Sequence, residues 1–210
     1  MIFRRLLFIT LLLFVQNAIA DLHHVLLGFE SEWAIIYYGT PKKQQGASYE
    51  KLLEKISHVL EQNPNNADVM FWKAVVGGSY ANHQTPVAAL NAIYEVRDLL
   101  NNVIAINPNT MSGSAYVVLG TLYYKAPPWP VAFGDNKIAS NLLQTALKIN
   151  PNGIDSNYFY AAFLSTEHQF EEAQRYFAKA IAAPIRPEQR YSDTQLQNAA
   201  KRELERLAKL

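Results

Sequence analysis

Residues 116–151 read YVVLGTLYYKAPPWPVAFGDNKIASNLLQTALKINP. Two apolar runs with helical spacing flank a proline-rich segment, and the second run ends at Asn150-Pro151-Asn152. The same tripeptide closes two earlier runs, at Asn63-Pro64-Asn65 and Asn107-Pro108-Asn109, so the prolines recur every 43 to 44 residues. Pro184 follows a fourth, Ala-rich run. Proline has no N–H and disfavours helix in the residue before it, so each copy marks the end of a helix. A period this long implies stacked helical hairpins, each burying its apolar face against its neighbours. The rival architecture, an irregular helical bundle, leaves the fixed period unexplained.

The small residues carry the same message. Gly120, Ala139, Ala146, Ala161, Ala173 and Ala180 fall where two antiparallel helices would cross closely. Tyr116-x2-Leu119-Gly120-x2-Tyr123 followed by Ala139-x3-Leu143-x2-Ala146 and Pro151 resembles the tetratricopeptide (TPR) pattern, with Tyr for its Trp and Leu for its Phe. Ala161-x2-Leu164, then Ala173-x3-Phe177-x2-Ala180 and Pro184, repeats it. Two looser units precede these, one around Trp33, Ile36, Leu52 and Ile56, the other around Phe71–Tyr80, Val96 and Leu100. The expected fold is all-α, an α-solenoid of four TPR-like helix-turn-helix units closed by a C-terminal capping helix.

Several boundaries follow. The second helix of unit one is expected from Ser48 to Gln62, after a polar loop Pro41–Gly46. That of unit two runs from Thr85 to Ala105, with Thr85-Pro86 as N-cap and first-turn proline. Its preceding turn reads as long, about Gly77–Thr85. In unit three the turn Lys125–Asp135 is seven residues longer than its counterpart in unit four. Three prolines stiffen it, Trp129 and Phe133 give it apolar area, and Asp135 suits the N-cap of the next helix. The last helix spans Ser192–Lys209, capped by Ser192 or Asp193, with one apolar face of Leu196, Ala200, Leu204 and Leu207.

The N-terminus reads as a signal peptide over residues 1–20. Arg4 and Arg5 precede the apolar run Leu6–Val15, and Ala18-Ile19-Ala20 supplies small residues for cleavage. An uncleaved anchor is the alternative, but the run is short of the ~20 residues a span needs. Residues 21–210 then form the TPR-like domain. Without Arg4 and Arg5 the balance is 17 basic to 18 acidic residues, interspersed, which speaks against nucleic acid as a partner. There is no cysteine, hence no disulfide and no lipid attachment through one. A periplasmic or secreted, soluble protein is the expectation.

Residues 123–164 carry a sharper likeness. The order Pro128-Trp129-Pro130, Phe133-Gly134-Asp135, Asn150–Gly153 and Tyr158–Tyr160 resembles the T-component (TatT) family of tripartite ATP-independent transporters. That resemblance implies a periplasmic TPR protein that docks a transporter's solute-binding protein, with oligomerisation as an option. The lipobox cysteine of the family's lipoproteins is missing here.

No enzyme signature is present: there is no Gly-rich phosphate loop, no H-E-x-x-H and no cysteine nucleophile. The chain is read as a non-enzyme without a cofactor. Aromatic residues gather on the first helix of each unit, the helices that line the concave face of a TPR superhelix. Such stripes are commonly core. Those left over mark a groove, with Trp129, Phe133, Tyr116, Tyr124, Tyr158, Phe159 and Tyr160 as binding candidates for a protein partner or a small apolar ligand. If cleavage frees Asp21, His23 in third position completes a square-planar nitrogen set for Cu(II) or Ni(II). The alternative for His23 is a polar residue of a loose terminus.

Overall fold

A computed structural model describes residues 22–209. The expected leader, residues 1–20, lies outside the described residues. The described chain is helical with no β-strand among them; a single bridge, Pro128 to Gly134, pins the base of one loop. Helix α1 covers residues 22–34 and runs into a π-helical turn, Ile35–Gly39. Then follow α2 (Lys42–Gln62), α3 (Ala67–Ala81), α4 (Pro86–Ile106), α5 (Ser114–Lys125), α6 (Asn136–Ile149), α7 (Ile154–Thr166), α8 (Phe170–Ala182) and α9 (Arg190–Leu207).

These pair as successive hairpins, α3 with α4, α5 with α6 and α7 with α8, while α5 stacks on α7 and α7 on α9. This is the all-α solenoid with TPR-like hairpins and a terminal cap. Each repeated asparagine sits where expected: Asn63, Asn107 and Asn150 are the C-caps of α2, α4 and α6, with proline next in the chain. Two N-caps are closed by side chains. Asn66 accepts from the backbone N–H of Asp68 and Val69 at 3.1 and 3.0 Å, and Asp135 from that of Ile138 at 2.9 Å.

The small residues do the steric work assigned to them. Ala139, Ala146, Ala161, Ala173 and Ala180 are all essentially inaccessible. A Cβ on Gly120 would lie 2.8 Å from Leu143 Cγ and 3.2 Å from the Ala139 carbonyl, so hydrogen at that position sets the α5–α6 spacing. The core runs as two clusters. One gathers Phe29, Tyr49, Leu52, Ile56, Leu100 and Leu119 from α1, α2, α4 and α5, and the other gathers Leu143, Phe163, Leu164 and Phe177. The half-buried Tyr123 of α5 packs against both.

Three boundaries differ from the sequence reading. α2 begins at Lys42, not Ser48, so the polar Pro41–Gly46 stretch is helix rather than loop. Gln45 explains it: its amide Nε2 donates to the carbonyls of Ile36, Tyr37 and Thr40 at 3.0, 3.2 and 2.9 Å, satisfying the end of the π turn from inside α2. Gly46 serves close packing there, since a Cβ would stand 3.2 Å from that of His83. Gly77 and Gly78 lie within α3, which continues to Ala81, so the turn before α4 is short. Pro86 is in the first turn of α4 after Thr85, but the Thr85 side chain makes no cap bond. Finally, α9 starts at Arg190, and neither Ser192 nor Asp193 caps it. Both are drawn inward by the partners described next.

Candidate functional site

The first helices of the hairpins share a concave side, and α9 returns to close it. Between them lies a cavity of about 390 Å³, within the ~300–1,000 Å³ typical of ligand sites. Its apolar wall comes from α1, α3 and α5 through Leu26, Leu27, Val75, Val117 and Val118, with Phe159 from α7. Trp33, Phe71 and Trp72 form an aromatic corner. Trp33 and Trp72 ring centroids are 6.2 Å apart, and Phe71 meets Trp72 edge-on at 5.5 Å. Trp33 is held by its indole N–H, which donates to Ser79 Oγ at 3.0 Å.

The opposite wall is polar and centres on Arg186, in the segment between α8 and α9. Its Nη2 donates to Asp193 Oδ1 at 2.6 Å and to Asp155 Oδ1 at 2.9 Å. Its Nε and its backbone N–H both reach Asp193 Oδ2, at 3.1 and 2.8 Å. Burial would lower the guanidinium pKa, but the Asp193 hydrogen bond and the charges of Asp155 and Asp193 outweigh it and hold Arg186 firmly protonated. Ser114 of α5 adds a 3.2 Å hydrogen bond to Asp155 Oδ2. Beside this cluster Glu30 of α1 is 5% exposed and accepts from the Ser192 hydroxyl. Burial pushes the Glu30 carboxyl above its ordinary pKa, against the pull of Ser192 and Arg186. Asp68 of α3, one turn from Phe71 and Trp72, is raised by burial alone.

A left-handed turn joins the wall before α5. Met111 and Ser112 have φ of 47° and 53°, and Gly113 has 84°. Two adjacent non-glycine residues in this region cost roughly 1 kcal/mol or more each. Both line the cavity. Gly113 is doubly required, because a Cβ there would also press to 3.0 Å on Ile149.

The structure separates the aromatic candidates into distinct places. Phe159 lines the cavity. Tyr124 and Tyr158 are largely buried, and burial raises both phenol pKa values, with Tyr37 adding to each. Tyr38 of the π turn is raised by burial, then by Tyr37 and Tyr158. Tyr160 is elsewhere, stacked edge-on with Tyr176 at 4.8 Å beside a second cavity between α6 and α8. Tyr116 is half-buried on α5 and does not line the main cavity. Nor do the two loop residues. Trp129 stands 84% exposed, whereas Phe133 is clamped by Tyr94 at 5.0 Å, Tyr123 at 5.2 Å and the Arg97 guanidinium at 4.8 Å. His23 lies in the first turn of α1 on the cavity rim; its proposed chelate partner Asp21 is outside the described residues.

Sequence reasoning missed the polar half of this site. Arg186 had one visible signal, a lone charge between Pro184 and Pro187 just where the chain must turn. Nothing local marks Glu30 as the partner of Ser192, which lies 162 positions away.

No protein-family model matches the sequence, and no curated protein matches it. Two solved structures of MamA are similar in chain path. One is 15% identical over 80% of this chain and 85% of its own, with a TM-score of 0.45. The other is 17% identical over 80% and 96%, with a TM-score of 0.44. No helix among the described residues is long and apolar enough to cross a membrane.

Proposed function

We propose that this protein is a non-catalytic interaction module that takes a segment of a partner protein into the cavity on its concave side. The observation that supports this reading is the enclosure of that cavity by α1, α3, α5, α7 and α9 together, with strained backbone at Met111 and Ser112 on its edge. Strain kept at a cavity wall is a cost that packing alone does not require. The resemblance of residues 123–164 gives the partner a candidate identity: the solute-binding protein of a tripartite ATP-independent transporter, met in the periplasm after removal of residues 1–20. The second reading, a carrier of a small apolar ligand, draws on Leu26, Val75, Val117 and Val118 in the same wall.

The test is site-specific photo-crosslinking in cells. A photoreactive residue replacing Leu27, on the cavity wall, should capture a discrete protein partner. The same residue replacing Val87, which is exposed on α4, should not. Equal capture from both positions, or none from Leu27, would count against the module reading. Solvent extraction and mass spectrometry of the purified protein then check the carrier reading.

A further inference from the structure

The cavity sets charge beside an aromatic corner: Glu30 is one turn from Trp33 on α1 and Asp68 one turn from Phe71 and Trp72 on α3, and together they select a ligand. Five carboxylates line it, Glu30, Asp68, Asp155, Glu188 and Asp193, against Arg186 and the imidazole of His23. Arg186 does not balance them, because its donors are already committed to Asp155 and Asp193. Glu30 has only the Ser192 hydroxyl as a partner among the described residues, and Asp68 has no side-chain partner there. Beside Glu30 and Asp68, the rings of Trp33, Phe71 and Trp72 also line the cavity, and aromatic rings attract a nearby cation.

The consequences differ by ligand type. An anion would meet uncompensated carboxylates. A purely apolar molecule would cover Glu30 and Asp68 and return no partner to either. A positive group on an apolar body satisfies both the carboxylates and the apolar lining.

Resting on the concave cavity being the binding site, we propose that it recognises an organic cation, an ammonium or guanidinium on an apolar body, presented as a free amine or as a basic side chain of the partner. Three probes share one body and differ in the head group: phenethylammonium, 2-phenylethanol and phenylacetate. Calorimetric titration of the purified protein should show phenethylammonium binding one to one, at least tenfold tighter than the alcohol, with phenylacetate weaker still. Glu30→Gln and Asp68→Asn should each weaken the cation about five- to tenfold and leave the alcohol unchanged. Asp68 is half-buried, so its variant keeps the test open if Glu30→Gln fails to fold. Competition by a capped pentapeptide with a central lysine, absent with norleucine, assigns the cation to a side chain; no competition assigns it to a free amine. Equal affinity for all three head groups, or cation binding untouched in both variants, overturns the proposal. If Leu27 still captures a partner in that case, the interaction reading survives and the cation does not; if Leu27 captures nothing, the reading beneath it falls as well.

Discussion

Ser192 of the last helix donates its hydroxyl to the carboxylate of Glu30 on the first, joining the two ends of the solenoid across 162 positions of chain. An open solenoid leaves its terminal repeats independent. Here the ends meet at a polar seam, with Tyr38 and Tyr191 packed edge-on 6.2 Å apart beside it. The concave face thereby becomes a walled cavity. Its stability and its electrostatics depend on the same few groups.

Arg186→Met should therefore destabilise the fold. The substitution leaves Asp193, which is 1% exposed, without its cation and Asp155 half served. Breaking a fully buried pair costs ~3–5 kcal/mol. The guanidinium is 36% exposed and solvent softens the loss, so about 2 kcal/mol is expected. Urea denaturation measures it, and a loss below about 0.5 kcal/mol would mean the cluster does not hold α9 in place.

Glu30→Gln should change how stability depends on pH. Burial raises the Glu30 pKa above its ordinary 4.5, with Asp193 and Asp155 adding to the rise and Ser192 and Arg186 opposing it. A raised acid binds protons more tightly in the folded state. Its contribution to stability is whole below the unfolded pKa and is lost as pH rises through the folded one. Wild type should lose more melting temperature between pH 4 and pH 7 than Glu30→Gln does. Asp68 shifts in the same direction but is common to both proteins, so the difference isolates Glu30. Parallel curves would place the Glu30 carboxylate in water.

Gly120→Ala sets two effects against each other. Alanine in a helix gains about 1 kcal/mol over glycine. The new methyl, however, would sit 2.8 Å from Leu143 Cγ and 3.2 Å from the Ala139 carbonyl, and the backbone oxygen cannot rotate away. Overpacking of this kind costs ~1–3 kcal/mol. A net loss of about 1 kcal/mol is expected by thermal melting; a gain would show that α5 and α6 can part freely.

The loop aromatics divide sharply. Trp129→Ala removes a side chain that touches little, and its effect on stability should stay within ~0.5 kcal/mol. Phe133→Ala empties the contact among Tyr94, Tyr123 and Arg97 and should cost about 2 kcal/mol. If Trp129 serves the partner, as its place in the inserted loop suggested, its loss weakens capture while the melting temperature holds. Equal destabilisation by the two changes would mean the loop docks through both rings.

What was legible in the sequence was whatever local chemistry writes down. Helix ends at Asn63, Asn107 and Asn150 follow from proline, and hairpin spacing follows from Gly120 and the buried alanines. Trp33 and Phe71–Trp72 stood out as aromatic clusters, but of the seven aromatic residues singled out for binding only Phe159 lines the cavity. The start of α2 was not legible, because the residues that decide it, Gln45 and Gly46, act through Ile36 in the π turn and His83 in the turn between α3 and α4. Glu30, Asp68 and Asp155 carry no local signal, and Asp193 reads as a helix cap, for the same reason. Their partners are fixed only once the solenoid closes on itself.

The cap helix makes the last prediction. Gln197 of α9 is buried, and its Nε2 donates to the carbonyls of Ala180, Ile181 and Ala183 at 3.2, 3.0 and 2.9 Å. These are the end carbonyls of α8, which have no helical partners of their own. Gln45 does the same for the π turn of α1, so the first and last hairpins are sealed by one device. Gln197→Met keeps the volume and removes the donor. It should cost about 1–3 kcal/mol, the penalty for buried carbonyls left without a partner. Deleting residues 190–210 goes further, uncovering α8 and the floor around Phe177, Ala180 and Phe163. That protein should bind hydrophobic dye and self-associate, as solenoids without a polar end do. Sedimentation and dye fluorescence read it out. A truncated chain that stays monomeric and dark would show that α9 builds the cavity without being needed to cap the core.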